Sequence, residues 1–264
     1  MNNTWITPTD GASLADPYAD HSGSLRGALR HQLVGRALAE HLPPAPQRVL
    51  DIGGGTGVQA RMLADRGHHV TVLDPDQAML DKARAERQHD DSCPGSVTFL
   101  LGAGEEAPHL AGTGWDAALC HGVLMYVEDP GPLMHAVARC VRPGGLVSIL
   151  AKAASSLAMR RGLERDWSGV LTALHSNVES GSLGTVSRGI DRESVVQLLA
   201  DQRIDLDHWY GVRCFTDHLG NEPVGGDFSE VLEAEWEAGR TDPYRQIARL
   251  FHLIAYARIT RDDT

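Results

Sequence analysis

Residues 48–57 read Arg48-Val49-Leu50-Asp51-Ile52-Gly53-Gly54-Gly55-Thr56-Gly57, a short apolar strand that runs into closely spaced glycines. Glycine adopts positive φ without steric cost, so this spacing predicts a sharp turn in which the backbone can approach a ligand closely. A helical pattern follows, and the first N–H groups of a helix are unpaired and lie at its positive dipole end. The segment therefore predicts a loop that binds a nucleotide-type cofactor.

The glycine spacing argues against two common phosphate-binding loops. The dinucleotide fingerprint G-x-G-x-x-G fails because Val58 stands where the third glycine belongs. The phosphate loop G-x-x-x-x-G-K-[ST] fails because no lysine follows Gly57. What remains is D-x-G-x-G-x-G, with Asp51 before the turn and no dedicated anion-binding side chain after it. A generic α/β turn with glycines for packing is the alternative interpretation.

The second predicted strand also ends in an acid. His69-Val70-Thr71-Val72-Leu73 leads into Asp74, about 20 residues past the first glycine, the distance at which a strand-end carboxylate meets ribose hydroxyls. A carboxylate accepts hydrogen bonds from both hydroxyls and would repel a phosphate. Dinucleotide enzymes share this acid, so it is informative mainly together with the Asp51 loop.

Strand and helix patterns alternate through the first half of the chain, which predicts an α/β, doubly wound, Rossmann-like sheet of seven strands with a helical insertion. We expect one domain over 1–264, made of a core (24–152), a helical insertion or lid without strands (153–190) and a C-terminal part of the sheet (191–264). Strands are predicted at 48–52, 69–73, 96–101, 115–120, 145–151, 204–215 and 250–259, and helices at 24–42, 57–66, 76–88, 130–140, 191–200 and 228–238.

Composition narrows the class of protein. The chain has 264 residues and a formal net charge of -11, which disfavours loose association with nucleic acid or anionic lipid. The four cysteines form no C-x-x-C pair, so we expect neither a zinc site nor a disulfide framework. No apolar run reaches the roughly 20 residues that span a bilayer, and the polar N-terminal segment lacks a secretory pattern. We expect a soluble, cytoplasmic protein without a membrane partner and without a bound metal.

The D-x-G-x-G-x-G loop resembles motif I of the class I S-adenosyl-L-methionine (SAM)-dependent methyltransferases. Residues 121–130, His-Gly-Val-Leu-Met-Tyr-Val-Glu-Asp-Pro, end the fourth strand much as in those enzymes, and Arg142-Pro143-Gly144-Gly145-Leu146 is similar to the turn before their fifth strand. The resemblance implies a methyltransferase with SAM as cofactor. It also implies that 204–215 and 250–259 close the sheet as an antiparallel edge.

Nearly the whole chain is similar to the bacterial tRNA 5-carboxymethoxyuridine methyltransferase family, which methylates the carboxylate of a modified wobble uridine. Three segments carry this resemblance: Tyr18 with Gly23-Ser24-Leu25-Arg26, then 211–219 (Gly-Val-Arg-Cys-Phe-Thr-Asp-His-Leu), and Asp242-Pro243-Tyr244 with His252. The resemblance implies that Arg26 pairs with the methionine carboxylate and Asp51 lies near its ammonium group. The other implied cofactor contacts are Gly53, Gly54, Gly55 and Gly57 in the loop, Asp74 at the ribose, Ala103 and Gly104 at the adenine, and His121 near the methionine.

The acceptor is less well defined by the sequence. A carboxylate needs no base at neutral pH, whereas a phenol or alcohol would profit from one; Arg213 is a candidate to orient an anionic acceptor, with His121 and Tyr126 at its border. Lys and Arg contacts to phosphate supply most nucleic-acid affinity. Residues 180–188 contain only one basic side chain, Arg188, so this stretch does not favour a tRNA acceptor. Three hypotheses stay open: oxygen methylation of a small-molecule acceptor, the same chemistry on tRNA, and a non-catalytic SAM-binding protein. The sequence leaves the oligomeric state unknown.

Overall fold

The computed structural model describes residues 15–87, 93–180 and 186–259. The strands are β1 (Arg48–Ile52), β2 (His69–Asp74), β3 (Ser96–Leu101), β4 (Trp115–His121), β5 (Val141–Lys152), β6 (Val178–Ser180), β7 (Val186–Arg188), β8 (Ile204–Val212) and β9 (Leu250–Ala257). The α-helices are α1 (Ala15–Gly23), α2 (Leu25–His41), α3 (Val58–Ala64), α4 (Gln77–Arg87), α5 (Ala107–Leu110), α6 (Gly131–Cys140), α7 (Leu157–Leu163), α8 (Trp167–His175), α9 (Arg192–Asp201) and α10 (Phe228–Arg240). Short 3-10 turns cover Gly104–Glu106, Leu124–Tyr126, Ala154–Ser156, Asp217–Leu219 and Tyr244–Ile247.

Seven strands form one sheet in the order β3-β2-β1-β4-β5-β9-β8. The first five strands are parallel, and β9 runs antiparallel to both neighbours, β5 and β8. The predicted doubly wound sheet with a reversed edge is confirmed. Because β9 is reversed, the start of β9 lies beside the ends of β5 and β8, where Leu250 pairs with Lys152 and with Val212.

The insertion differs from its prediction. It contains helices α7 and α8, as expected, but Val178–Ser180 and Val186–Arg188 pair as an antiparallel hairpin. The expectation that 153–190 has no strand was wrong because two three-residue strands are too short to show a period of two. The residues between these strands, 181–185, lie outside the described part of the chain.

Helix α2 shows how the core positions the site. Ser24 caps the helix by accepting from the Gly27 N–H, and the apolar stripe Leu29, Leu33 and Ala37 is fully or almost fully buried. Burying one leucine side chain contributes about 1.5–3 kcal/mol, so this stripe fixes α2 against the sheet. The polar face of the same helix then meets the ends of the strands.

Within the described ranges, no helix is both long and apolar enough to cross a membrane.

Candidate active site

The glycine loop connects the end of β1 to α3 with three left-handed residues. Gly53, Gly55 and Gly57 have φ of 71, 56 and 71°, values that cost a residue with a Cβ roughly 1–2 kcal/mol. A Cβ on Gly53 would also lie 2.3 Å from Cγ2 of Val123. The alternate glycines are therefore required by the backbone path of the loop, as the sequence pattern predicted.

The Asp51 carboxyl lies under this loop and has an unpaired oxygen. The residue is 1% exposed, and its Oδ2 has no hydrogen-bond partner among the residues that the structure describes. Burial raises the pKa of Asp51 to about 7, against the attraction of Arg30. A Cβ on Gly54 would lie 2.7 Å from this Oδ2, so the second glycine leaves the carboxyl accessible. A buried carboxylate without a donor is suited to a cationic ligand group.

Asp74 ties the end of β2 to the same loop. Its Oδ2 accepts from the Gly55 N–H at 2.9 Å, and its Oδ1 accepts from the Asp76 N–H at 2.9 Å. Burial raises the pKa of Asp74 to about 6, and these two backbone donors oppose that shift. The carboxylate keeps further lone pairs for hydroxyl donors. Its predicted contact with a ribose stays a prediction.

A pocket opens at the carboxyl ends of β1 and β4, the end of the strands at which a doubly wound sheet binds its ligand. Its lining contains Asp51, His121 and residues of α1 and α2; no described residue of 153–190 contributes, so the insertion does not roof this pocket. The insertion does not roof the pocket because the N-terminal helices α1 and α2 cover these strand ends. The lining residues are Tyr18, Arg30, His31, Val34, Asp51, Gly53, Gly54, Val58, Gln59, His121 and Leu150.

Arg30 is a pocket residue that the sequence reasoning missed. Its Nη1 donates to the Tyr18 hydroxyl at 2.8 Å, and its Nη2 donates to the His121 carbonyl at 3.1 Å. It lies one helical turn after Arg26, on the same face of α2. Helical spacing from Arg26 was the available signal. Arg26 itself does not line the pocket; it is buried nearby and donates from Nη2 to Asn221 Oδ1 at 2.6 Å.

His121 is held by a buried polar relay that extends to the reversed strand. Its Nε2 lies 2.8 Å from Ser148 Oγ, which lies 2.7 Å from His252 Nε2. Because one hydroxyl has one proton, Ser148 donates to one imidazole and accepts from the other. Burial holds the pKa of His121 well below its usual range and lowers that of His252 to about 3. Both rings are neutral at pH 7.

The other predicted site residues lie beside the pocket. Tyr126 belongs to the 3-10 turn after β4 and packs partly buried against the apolar core. The Ala103 N–H donates to Glu106 Oε2 at 3.2 Å, and a Cβ on Gly104 would lie 2.6 Å from Cδ1 of Leu133. Their predicted roles at the adenine and at the acceptor stay predictions.

Four buried cations form a second polar region at the same edge of the sheet, which we name the cationic cluster: Arg26, Lys152, Arg213 and Arg249, with the carboxylates Glu179 and Asp217. Lys152 Nζ lies 2.6 Å from Glu179 Oε1 and from Ser187 Oγ, and Arg249 also pairs with Glu179. Asp217 lies 3.3 Å from Arg213 Nη2 and 3.5 Å from Arg249 Nε. These ion pairs join β5, the hairpin and the segments around β8 and β9.

The cationic cluster has more positive than negative charge. Its four cations face two carboxylates, and burial together with Arg249 and Arg26 lowers the pKa of Arg213 to about 10, although Asp217 opposes this. Three nitrogens, Arg26 Nε, Arg213 Nε and Arg249 Nη1, have no hydrogen-bond partner in the described ranges, and neither oxygen of Asp217 accepts a hydrogen bond there. Buried guanidinium donors without acceptors are costly unless a ligand satisfies them. The cluster is therefore suited to an anion.

A strained backbone presents Arg213 to this cluster. Arg213 has φ of 62°, a left-handed conformation that is uncommon for a residue with a side chain. The buried Glu235 carboxylate holds the segment that follows by accepting from the N–H groups of Cys214, Phe215 and Thr216. Strain of this kind persists where surrounding structure imposes it, and it concentrates at functional sites.

Comparisons of the sequence with known proteins find methyltransferases. Residues 50–149 match the family described as "Methyltransferase domain". The chain is 29% identical over 260 residues to the tRNA 5-carboxymethoxyuridine methyltransferase of Escherichia coli K12, covering 93% of each chain. It is also 31% identical over 149 residues to the malonyl-[acyl-carrier protein] O-methyltransferase of Pseudescherichia vulneris, covering 56% of this chain and 55% of the relative.

Solved structures share the fold at low sequence identity. The magnesium protoporphyrin IX methyltransferase of Synechocystis PCC 6803, solved with bound SAH, superposes with a TM-score of 0.63 at 14% identity and covers 92% of this chain and 93% of its own. A SAM-dependent methyltransferase of Methanosarcina mazei gives 0.60 at 17% identity, covering 84% and 98%. These likenesses support the assignment of the sheet topology.

Proposed function

We propose that this chain, a SAM-dependent methyltransferase of class I fold, methylates a carboxylate oxygen of an anionic acceptor to give a methyl ester. The observation that carries the proposal is the cationic cluster, with four buried cations against two carboxylates. An acceptor carboxylate would add the missing negative charge. It would also accept from the unpaired nitrogens of Arg26, Arg213 and Arg249 in charge-assisted hydrogen bonds.

The cluster lies close enough to the pocket to serve the same reaction. Arg26 and Arg30 are one turn apart on α2, and Arg30 lines the pocket. Burial lowers the pKa of His21 to about 4, and Arg213, Arg26 and Arg30 add to this shift, as charges within electrostatic reach of one group do. The insertion adds Glu179 to the cluster. We therefore propose that 153–190 shields the acceptor side, whereas α1 and α2 cover the cofactor side.

The residues around the pocket favour an acceptor that is already ionised. His121 donates to or accepts from Ser148 and has a pKa well below its usual range because it is buried. Burial and Arg30 lower the pKa of His31 to about 3. An imidazole whose conjugate acid is this strong is a weak base. A carboxylate, with an ordinary pKa of about 4, needs no base at neutral pH.

The cofactor fits the residues that are present. Asp51, with its unpaired Oδ2, would hold the ammonium group, and Asp74 would accept from the ribose hydroxyls. Gly54 leaves Asp51 uncovered, as its missing Cβ would contact that carboxyl. When bound, SAM supplies an activated methyl group on a sulfonium, so the chain mainly contributes alignment and electrostatics. Arg30 and His121 would border the methionine part.

Two acceptors are compatible with this chemistry. A small-molecule acid is our first candidate, because the cationic cluster is buried and the chain has a net charge of -11. A tRNA wobble uridine with a carboxymethoxy group is the second, favoured by the 29% identity that covers 93% of a tRNA 5-carboxymethoxyuridine methyltransferase. In that case a positive surface around the pocket would be required, and activity would fall steeply with salt.

The test is a methyl-transfer assay with SAM labelled on the methyl group, run in parallel on bulk tRNA and on a metabolite extract. Methyl esters release labelled methanol in mild alkali, whereas ethers and N-methyl products do not. We expect alkali-labile label that Arg213→Gln reduces, with SAM affinity retained. Alkali-stable product on either substrate would overturn the carboxylate proposal. Labelling of tRNA that disappears at moderate salt would favour the second acceptor over the first.

A further inference from the structure

A histidine and aspartate cluster lies at the other end of α2, away from the cofactor pocket. It contains His41, the last residue of α2, and Asp207 with His208 from β8. Their ligand atoms all lie within 4.8 Å of one another. Asp207 Oδ2 lies 3.6 Å from His41 Nδ1 and 3.4 Å from His208 Nδ1. Among the described residues, no lysine or arginine forms an ion pair with Asp207.

An irregularity in β8 brings two consecutive side chains to this cluster. Neighbouring residues of a regular strand point to opposite faces of the sheet. The register between β8 and β9 shifts between Leu206 and His208, and a bulge of this kind re-aims a side chain. Asp207 and His208 therefore both present an atom to the end of α2.

The hydrogen bonds around His41 prepare one nitrogen as a ligand. The Tyr210 hydroxyl donates to Glu40 Oε2 at 3.3 Å and lies 2.7 Å from His41 Nε2. In the tautomer with the proton on Nε2, His41 donates to this hydroxyl and presents the lone pair of Nδ1 toward Asp207, and this is the tautomer that a metal ion on Nδ1 requires. Metal-binding histidines are oriented in this way, by a hydrogen bond from the ring nitrogen that does not bind the metal.

We propose that His41, Asp207 and His208 form a binding site for a divalent transition-metal ion of the zinc class, with solvent in the fourth position. Zinc bonds to nitrogen and oxygen are about 2.0–2.1 Å long, so neighbouring atoms of a tetrahedral site lie roughly 3.3 Å apart. The measured separations of 3.4 and 3.6 Å approach that value. His208, whose side chain is 59% exposed, can rotate to complete the geometry. Imidazole ligands favour zinc, copper or nickel over magnesium or calcium.

Such an ion would connect α2 to the reversed edge of the sheet. The first half of α2 contributes Arg30 to the cofactor pocket, and its last residue would be a metal ligand. The expectation that the chain has no metal site rested on cysteine spacing. Histidines from two distant segments give no such pattern, so only the folded chain brings this cluster together.

Calorimetric titration of the full chain with zinc chloride at pH 7.5 tests the proposal. We expect a tightest site of one ion per chain, and no comparable binding of magnesium chloride. Asp207→Asn and His208→Gln should each weaken zinc binding at least ~10-fold, since changes to first-sphere ligands exceed the 10- to 100-fold effects of outer partners. His175→Gln, which removes an exposed histidine of α8, is the matched control and should bind zinc as the parent does.

A spectroscopic readout separates binding at this site from loss of structure. Cobalt(II) in place of zinc should give the visible absorption of a tetrahedral site, and His208→Gln should abolish it while the circular dichroism spectrum stays that of the parent protein. His208 is exposed, so its replacement leaves the core intact. Absence of a stoichiometric site, or equal zinc affinity in the parent, Asp207→Asn and His208→Gln, would overturn the proposal. An equal loss in His175→Gln would overturn it too.

Discussion

The cofactor pocket and the cationic cluster lie at the same edge of one sheet but differ in the sign of the buried charged groups that lack a partner. In and beside the pocket, burial raises the pKa values of Asp51 and Asp74 to about 7 and about 6. In the cluster, burial lowers that of Arg213 to about 10. Each region also has a buried polar atom without a partner in the described ranges, Asp51 Oδ2 in one and Arg213 Nε in the other.

This difference shows how a folded chain can prepare for two ligands of opposite charge. Taking a charge out of water costs several kcal/mol unless it is paired, and each region keeps a buried charged group with an unpaired atom although Arg30 lies near Asp51 and Asp217 lies near Arg213. A cofactor with a sulfonium and an ammonium group suits the pocket that contains Asp51. An anionic acceptor suits the cationic cluster. The attraction between the two ligands would then favour their approach at this edge of the sheet.

The largest effect is expected from breaking the cluster with Asp217→Asn. This change leaves Arg213 and Arg249 without the carboxylate that lies between them, and removing one partner of a buried pair costs roughly 3–5 kcal/mol. The free energy of unfolding in urea should fall by that amount. Arg213→Met is the contrasting variant. It removes one of the four cations, two of which exceed the two carboxylates, and it leaves Asp217 paired with Arg249, so it should destabilise the protein less than Asp217→Asn does. Equal destabilisation by both variants would contradict the charge imbalance.

Asp51→Asn should weaken SAM binding yet stabilise the ligand-free protein. A hydrogen bond to a charged group is worth roughly 1.5–3 kcal/mol, and 3 kcal/mol corresponds to about a 100-fold loss of affinity, measurable by calorimetry. The pKa of Asp51 is raised in the folded state, so the contribution of this group to stability is complete below about pH 4 and is lost as the pH rises toward about 7.

At pH 8 the gain in Asp51→Asn should reach about 2–4 kcal/mol, because one pKa unit corresponds to 1.36 kcal/mol. The variant should also lack the part of the parent's decline in stability that Asp51 contributes between these pH values, while the part from Asp74 remains. Unchanged SAM affinity, or a variant less stable than the parent at pH 8, would mean that Asp51 is not an unpaired carboxylate waiting for a cation.

Gly55→Val separates the backbone strain of the loop from its role in binding. The residue has φ of 56°, and a Cβ would meet only Tyr18 and Met79 at 3.7 and 3.8 Å, so the protein should fold with a loss of about 1–2 kcal/mol. SAM affinity should fall more than this strain explains, because the side chain would occupy space beside the ligand. Gly112→Val is the matched control: its φ is 77° with nothing within 4 Å, and its SAM affinity should equal that of the parent. Equal affinities in both variants would refute the loop assignment.

The smallest effect is expected at an exposed ion pair. Arg258 Nη2 lies 2.6 Å from Asp205 Oδ1, and both side chains are about half exposed. Such pairs contribute little to stability because solvent and salt screen them. Asp205→Asn should therefore change the urea midpoint little, and less at high salt. This variant compares an exposed ion pair with the buried one at Asp217. A loss of stability as large as that of Asp217→Asn would show that burial does not determine how much an ion pair contributes.

Much of the cofactor half was predictable because its signals are local. The alternate glycines and Asp51 lie within one turn, and Asp74 follows at the end of the next strand; all of these lie where the pattern placed them. Arg26 was predicted to meet the cofactor, but Arg30 lines the pocket, because a single turn of helix decides which arginine faces inward. The insertion 153–190 was predicted to act as a lid, and its described residues border the cationic cluster and not the pocket.

The sequence by itself determined the order of strands and helices, the reversed edge through its family resemblance, and the glycine loop with its two acids, since each depends on residues close together in the chain. Only the tertiary structure decided the cationic cluster, the Ser148 relay between His121 and His252, and the meeting of His41 with Asp207 and His208. The members of a group come from segments as far apart in the sequence as Arg26 and Arg249. The pKa shifts of Arg213, His121 and His252 arise mainly from burial, a property that no single segment possesses before the sheet closes.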